Sequence, residues 1–176
     1  MSDRPPLVWH FSEDPSITEF VPHVPATNPT MPPAVWAIDD AHAPLYWFPR
    51  DCPRITWWTP DGRPADRLGP TTAARVHAVE AAWLDRIRRC TLYRYGFDAA
   101  DFAPWAEAEG QLVSPTTVRP RSVEPVGDLL DRHVAAGIEL RLVPSLWPLH
   151  EAVVEAAAAH GYRFSMVRLR NAAARL

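Results

Sequence analysis

The chain contains no lysine: all 18 of its basic residues are arginine. That absence excludes Schiff-base and lysine-nucleophile catalysis, while arginine suits bidentate grip on carboxylate or phosphate. Genomic base composition is the plainer cause of the bias. Cysteine is scarce as well. Cys52 and Cys90 match no metal or redox spacing, and a structural disulfide would be out of place in a reducing compartment. No run of uncharged apolar residues is long enough for a transmembrane helix. The opening MSDRPPLVWHF has no apolar segment behind a basic start, so no signal peptide is expected and a cytoplasmic location follows. Surplus positive charge is missing too. A net charge of -3 argues against a general nucleic-acid binder, because counterion release needs a basic face. Walker loop, GxGxxG, GxSxG and HExxH patterns are all absent, which removes the commonest nucleotide-hydrolase, dehydrogenase, esterase and zinc-protease readings.

What is present fits one folded domain over residues 1–176, with 47% apolar and 22% charged residues. Of the 20 prolines, 14 lie in residues 1–70, and half of the 18 aromatic residues fall before position 59, whereas the first glycine is Gly62. Proline fixes φ and aromatic rings demand packing, so this stretch reads as short strands joined by rigid loops. Strands are expected over residues 7–11, 34–38 and 53–58, with a helical turn at 16–20 and a mobile polar loop at 59–72. From Ala74 onward the pattern is regular: strand 75–79, helix 81–89, strand 91–98 and strand 111–118. A helix over 126–136 would turn Leu129, Leu130 and Val134 inward and close at Gly137. Strand 138–143, a helix from Ser145 to about His160 and strand 163–169 complete the chain, the last two strands pairing in parallel across a right-handed crossover. The class is α+β, with a mixed, split, twisted sheet and three or four helices.

Three clusters carry candidate chemistry. In VWHFSED, alternation puts Val8, His10 and Ser12 on one face and Trp9 and Phe11 on the other. A histidine and a hydroxyl so placed can hydrogen-bond one sugar or amide, provided that the Trp9 face supplies the core aromatics. The plainer alternative is a core histidine, with Ser12 capping the turn at Asp14-Pro15. In DDAHAPLYWFPRDCPR, Arg50 and Arg54 are held by Pro49 and Pro53 next to Tyr46, Trp47 and Phe48. Two rigid arginines beside rings can clamp a pyrophosphate while an aromatic stacks on a base, or they can pair with Asp39, Asp40 or Asp51. Cys52 between them lacks a base assigned by spacing, which weakens it as a nucleophile. Glu124 in VRPRSVEPV can serve as a catalytic acid/base or merely as an exposed or helix-start charge. His10, His23, His42 and His77 have no pair at metal-ligand spacing, so no metal is expected.

The segments HFSEDPSI, VWAIDDAHAPLYWFPRDCPR, RVHAVEAAWLDRIR, LYRYGFD and SVEPVGDLL…AGIELRLVPSLWPL carry a specific likeness. By them the chain is identified as a member of an uncharacterised bacterial family, domain of unknown function 6886, from about Val8 to Asn171. An opening strand ending in His-x-Ser, a following strand containing Trp36, and then an aromatic are similar to ADP-ribosyltransferase-like folds. That resemblance implies NAD as cofactor, contacted by His10, Ser12 and Tyr46, with Trp36 beside them and Arg50 or Arg54 of the arginine clamp on its pyrophosphate. It further implies catalysis by His10, Tyr46 and Glu124 through an oxocarbenium-like step. The expected partner is a small-molecule or nucleotide ligand. A non-catalytic ligand-binding module using the same residues, and a protein-interaction module such as a homodimer through exposed tryptophans, are the alternatives.

Overall fold

The computed structural model describes residues 6–25 and 29–175. Residues 1–5, on which part of the leader reading rests, lie outside the described residues. In chain order the strands are β1 (Leu7–Ser12), β2 (Val35–Ile38), β3 (Arg54–Trp58), β4 (Arg75–Glu80), β5 (Tyr93–Asp98), β6 (Ala103–Pro104), β7 (Gln111–Ser114), β8 (Ser122–Pro125), β9 (Glu139–Val143) and β10 (Arg163–Val167). The α-helices are α1 (Leu84–Arg89), α2 (Leu129–Ala135) and α3 (Trp147–His160), and a 3-10 turn spans Ala43–Tyr46. The mixed α+β class and the split of the strands into two sheets agree with the sequence. No described helix is long and apolar enough to cross a membrane.

Internal contacts cluster in two compact units, each made of two chain segments: Met1–Trp47 with Thr91–Val126, and Phe48–Cys90 with Gly127–Leu176. The first unit is a six-stranded sheet in the order β6-β7-β2-β1-β5-β8, antiparallel at every pairing. Prolines and acidic turn residues bound its short strands, as proline cannot donate to a ladder. One face buries Val8, Val35, Ala37, Tyr95 and Phe97, with Val118, and Ile17 and Phe20 pack on it. No helical turn forms at residues 16–20. Asp14 accepts the Ser16 amide at 2.8 Å and the Tyr95 hydroxyl the Ile17 amide, while Phe20 pairs with Val118 in an isolated bridge. The Phe20 amide, which a helical turn would direct back to Ser16, donates instead to the Val118 carbonyl at 2.8 Å, and the Phe20 ring gains edge-on contacts with His10, Tyr95 and Phe97. The strand at 111–118 stops at Ser114, whose hydroxyl turns to Thr116.

The second unit holds the four-stranded sheet β10-β3-β4-β9 and all three α-helices. β3 pairs antiparallel with β4 and β10, whereas β4 and β9 are parallel. β9 and β10 therefore occupy opposite edges and do not pair with each other, contrary to the crossover expectation, because β3 and β4 already fill the middle. Ile55, Trp57, Val76, Ala78, Leu146 and Val153 form the core under α3. Asp128 caps α2 by accepting the Leu130 and Asp131 amides at 2.9 Å, and Gly137 follows that helix with φ of 66°. The inward residues of α2 are Leu129 and His133. Val134, expected inside, is 78% exposed. Gly161 ends α3 at φ 71°, and Ser145 accepts the Trp147 amide one residue ahead of the cap position. Residues 59–72 are pinned, not loose. Ala65 is fully buried and accepts the Trp57 indole N–H, the Tyr162 hydroxyl accepts the Arg67 amide, and Arg141 donates to Leu68 at 2.6 Å.

Candidate functional site

Strand pairing decides which candidates can act together. In the first unit His10 lies opposite Tyr95, and Tyr95 opposite Val123, so these three share a face. Phe11 lies opposite Arg94, and Arg94 opposite Glu124, which places Glu124 on the other face. His10 and Glu124, the expected catalytic pair, are thus separated by the sheet itself. The His10 face is the core face. Val8 and Ser12 are 4% and 6% exposed, and the His10 ring meets Phe20 edge-on with Nδ1–H donating to the Trp36 carbonyl at 2.9 Å. Ser12 Oγ accepts the Asp14 amide, the turn-capping alternative. The expectation that Trp9 and Phe11 face the core is reversed, because the 16–20 segment folds over the Val8 side instead.

The reversal leaves an aromatic surface. Trp9 is opposite Ile38, which places Trp36 on its face, and Ile38 pairs with Gln111. Trp105 packs edge-on against Trp36 at 5.5 Å, while the Tyr46 ring lies parallel to Phe11 within 6° at a centroid distance of 6.4 Å. Trp9, Phe11, Trp36, Tyr46 and Trp105 are all half-buried. Gln111 Nε2 donates to the Tyr46 hydroxyl at 2.5 Å, fixing that ring. At the rim Arg94 stands 4.5 Å over Trp9 and pairs with Glu124 at 2.6 Å, and the Trp9 indole donates to Asp40. Glu124 thereby has an ion-pair role on edge strand β8, with half its side chain in solvent. Tyr46 and Trp36, both foreseen as ligand contacts, do belong to one surface with each other. His10 and Ser12 do not.

Beside this surface the turn after β2 holds a histidine between carboxylates. Asp39 Oδ1 accepts both the backbone N–H and the Nδ1–H of His42 at 2.8 Å, and Glu109 Oε1 lies 3.8 Å from Nε2. His42 is only 8% exposed, closed in by Gly110, whose φ is +76° and where an added Cβ would come 2.3 Å from Nδ1. Sequence reasoning missed this trio. Its signal was the Asp-x-x-His spacing of a side-chain-closed turn, while Glu109 is too distant in sequence to give one.

Arg50 and Arg54 belong to the second unit. Arg50 is exposed, but Arg54 is 3% exposed, donating to the Cys52 carbonyl at 3.0 Å and lying over the Phe48 ring at 5.1 Å. A guanidinium so enclosed cannot reach a phosphate, so Arg54 is corrected from ligand clamp to core support. Of the aspartates, Asp39 accepts from His42, Asp40 accepts from Trp9, and Asp51 lies 3.9 Å from Arg168. Cys52 and Cys90 are buried free thiols, and burial pushes the Cys52 thiol up to about 12 against the opposing pull of Arg54. Cys52 is therefore no nucleophile. His77 and His133, with 0% exposure, form a hydrogen-bonded pair beneath Phe48 at 3.0 Å. Neither had been singled out as a pair. A surface cavity of about 320 Å³ lies at the start of α3, lined by Ser145, Trp147, Pro148, Glu151 and Arg175, none of them an expected site residue. Among the described residues no group of three or more His, Cys, Asp or Glu side chains can hold a metal ion.

No curated protein and no solved structure matches the chain. Among protein families one match runs over residues 9–172, nearly the whole length, and it carries the description "family of unknown function". By that match the chain belongs to the family of unknown function DUF6886.

Proposed function

We propose that this protein is a small-ligand-binding module that holds the flat ring of a nucleotide-class ligand, such as the adenine or nicotinamide of NAD or ADP-ribose, on the aromatic face of its first unit. One observation carries the reading: Trp9, Phe11 and Trp36 stand half-buried on one sheet face, with half-buried Trp105 packed against Trp36 and half-buried Tyr46 held parallel to Phe11 by Gln111. Monomeric proteins gain nothing from leaving so much aromatic area in partial contact with water, and ring stacking gives affinity to any base. Binding without turnover has the better support. His10 and Glu124 lie on opposite faces, and Glu124 is committed to Arg94, so a transfer step that uses both lacks a shared cleft.

The test is saturation-transfer NMR with nicotinamide, adenosine, ADP-ribose and NAD in turn. Saturable transfer to ring protons is expected, weakened about 5- to 150-fold in Tyr46→Ala, the range that corresponds to a base–aromatic stack of about 1–3 kcal/mol. Transfer that is undiminished in both Tyr46→Ala and Phe11→Ala overturns the site. No transfer from any of the four overturns the ligand class.

A further inference from the structure

Resting on the ligand reading above, we propose that the aromatic face selects a positively charged ring, so that its ligand class is a flat, weakly hydrated organic cation such as an N-alkylpyridinium. The unit that carries this face is strongly acidic. Its two segments, residues 1–47 and 91–126, hold eleven carboxylates against four arginines, a surplus of seven negative charges. The chain as a whole carries only -3, so the acidity is concentrated here and its field favours a cation over an anion. Arg94, Arg119 and Arg121 are already in ion pairs with Glu124, Glu19 and Asp98, and Arg4 lies outside the described residues.

At the face itself the decisive pair is Trp9 and Asp40. The Trp9 indole N–H donates to Asp40 Oδ1 at 3.1 Å, and among the described residues no arginine pairs with that carboxylate. Asp40 is exposed, so its charge stands at the rim where a ligand would sit. Donation to a carboxylate also enriches the indole ring in electrons, and the negative face of a π-system attracts a cation. One cation is seated there already. The Arg94 guanidinium stands 4.5 Å over Trp9, with Glu124 balancing its charge. Phe11 and Trp36 continue the same sheet face, Tyr46 lies parallel to Phe11, and Trp105 packs on Trp36. All five rings are half-buried, so a ligand held by them gives up part of its hydration. That cost disfavours a compact ammonium and favours a planar ion whose charge is spread over a ring. Such an ion stacks as a neutral base does and gains the cation–π attraction in addition.

The test compares two probes of one shape on the full chain. 1-Methylnicotinamide is a permanent cation, and 3-methylbenzamide has carbon in place of its charged ring nitrogen, which leaves a neutral molecule of the same outline. Each is titrated while the indole N–H resonances are followed by NMR. The cation should bind about 5- to 30-fold more tightly, the range expected for a charge on partly desolvated rings. Asp40→Asn keeps an oxygen for the Trp9 indole and removes the charge. It should cut the preference about two- to five-fold while 3-methylbenzamide affinity stays within about two-fold. Added salt should narrow the preference of wild type in the same direction. Equal affinity for the two probes overturns the cation assignment and leaves the ring-binding surface standing. A preference undiminished by both Asp40→Asn and high salt overturns it as well. Binding of neither probe refutes the ring-binding reading, and the cation assignment falls with it.

Discussion

Acidification should destabilise the second unit through His77 and His133. His133 Nδ1 lies 2.6 Å from the Leu129 carbonyl, so it must donate, and its Nε2 must accept from His77 Nδ1 at 3.0 Å. Both rings are then neutral, and His77 Nε2 is a buried acceptor with no partner. Burial lowers both titrations below the ordinary histidine range. For His77 the charges of His133, Arg75 and Arg54 add to it, and for His133 the Leu129 hydrogen bond opposes it. The unfolded chain takes up a proton at each ring near pH 6.5 while the folded chain does not. Stability is therefore fully present above that pH and is lost as pH falls toward the lowered folded-state values. Were no proton bound in the folded state down to pH 5.5, each ring would lose about 1.4 kcal/mol between pH 7.5 and 5.5, so about 2.7 kcal/mol is the upper limit for the pair. His133, whose lowering the Leu129 hydrogen bond opposes, contributes the smaller part. The limit is a large share of the 5–15 kcal/mol typical of a domain. All three α-helices belong to this unit, so urea unfolding followed by helical circular dichroism reports it directly. The double variant His77→Leu/His133→Leu removes donor and acceptor together, which keeps the core satisfied. Its stability should be nearly flat over the same interval apart from the contribution of exposed groups. Equal pH slopes in wild type and double variant would refute the neutral, buried pair.

Three further outcomes follow from the same geometry. Gly110→Ala puts a Cβ at φ +76° and 2.3 Å from His42 Nδ1, so it should cost more than about 2 kcal/mol in chemical denaturation, beyond the strain of the left-handed backbone alone. Cys52, fully buried and with its thiol pushed up to about 12, should resist iodoacetamide at pH 8 in the native protein and react once the chain is unfolded, with mass spectrometry as the readout. Glu124→Gln should change stability by less than about 1 kcal/mol, since its Arg94 pair is half in solvent, and should leave any ligand affinity within about two-fold. A complete loss of binding in that variant would restore Glu124 to the site.

The sequence by itself determined most of the elements, though not β6, β8 or the fate of residues 16–20. Prolines around Leu7–Ser12 and Val35–Ile38 left room only for short strands, Gly137 marked the end of α2, and Gly161 ended α3. These features are decided within a few residues by φ restriction and capping, and they were legible for that reason. The aromatic surface was half legible: Trp36 and Tyr46 were picked out, whereas Phe11 and Trp9 were assigned to the core. Alternation says that neighbouring side chains part, but not which side is covered, and here Phe20, bridged to Val118, covers the His10 side. The same gap hid His133, which is buried in place of Val134 because its donor and acceptor are satisfied by Leu129 and by His77 respectively, the latter 56 positions away. Tertiary structure alone decided the faces and the partners, since a polar ring may be buried only where distant chain supplies its hydrogen bonds, and strand pairing is what brings that chain to it.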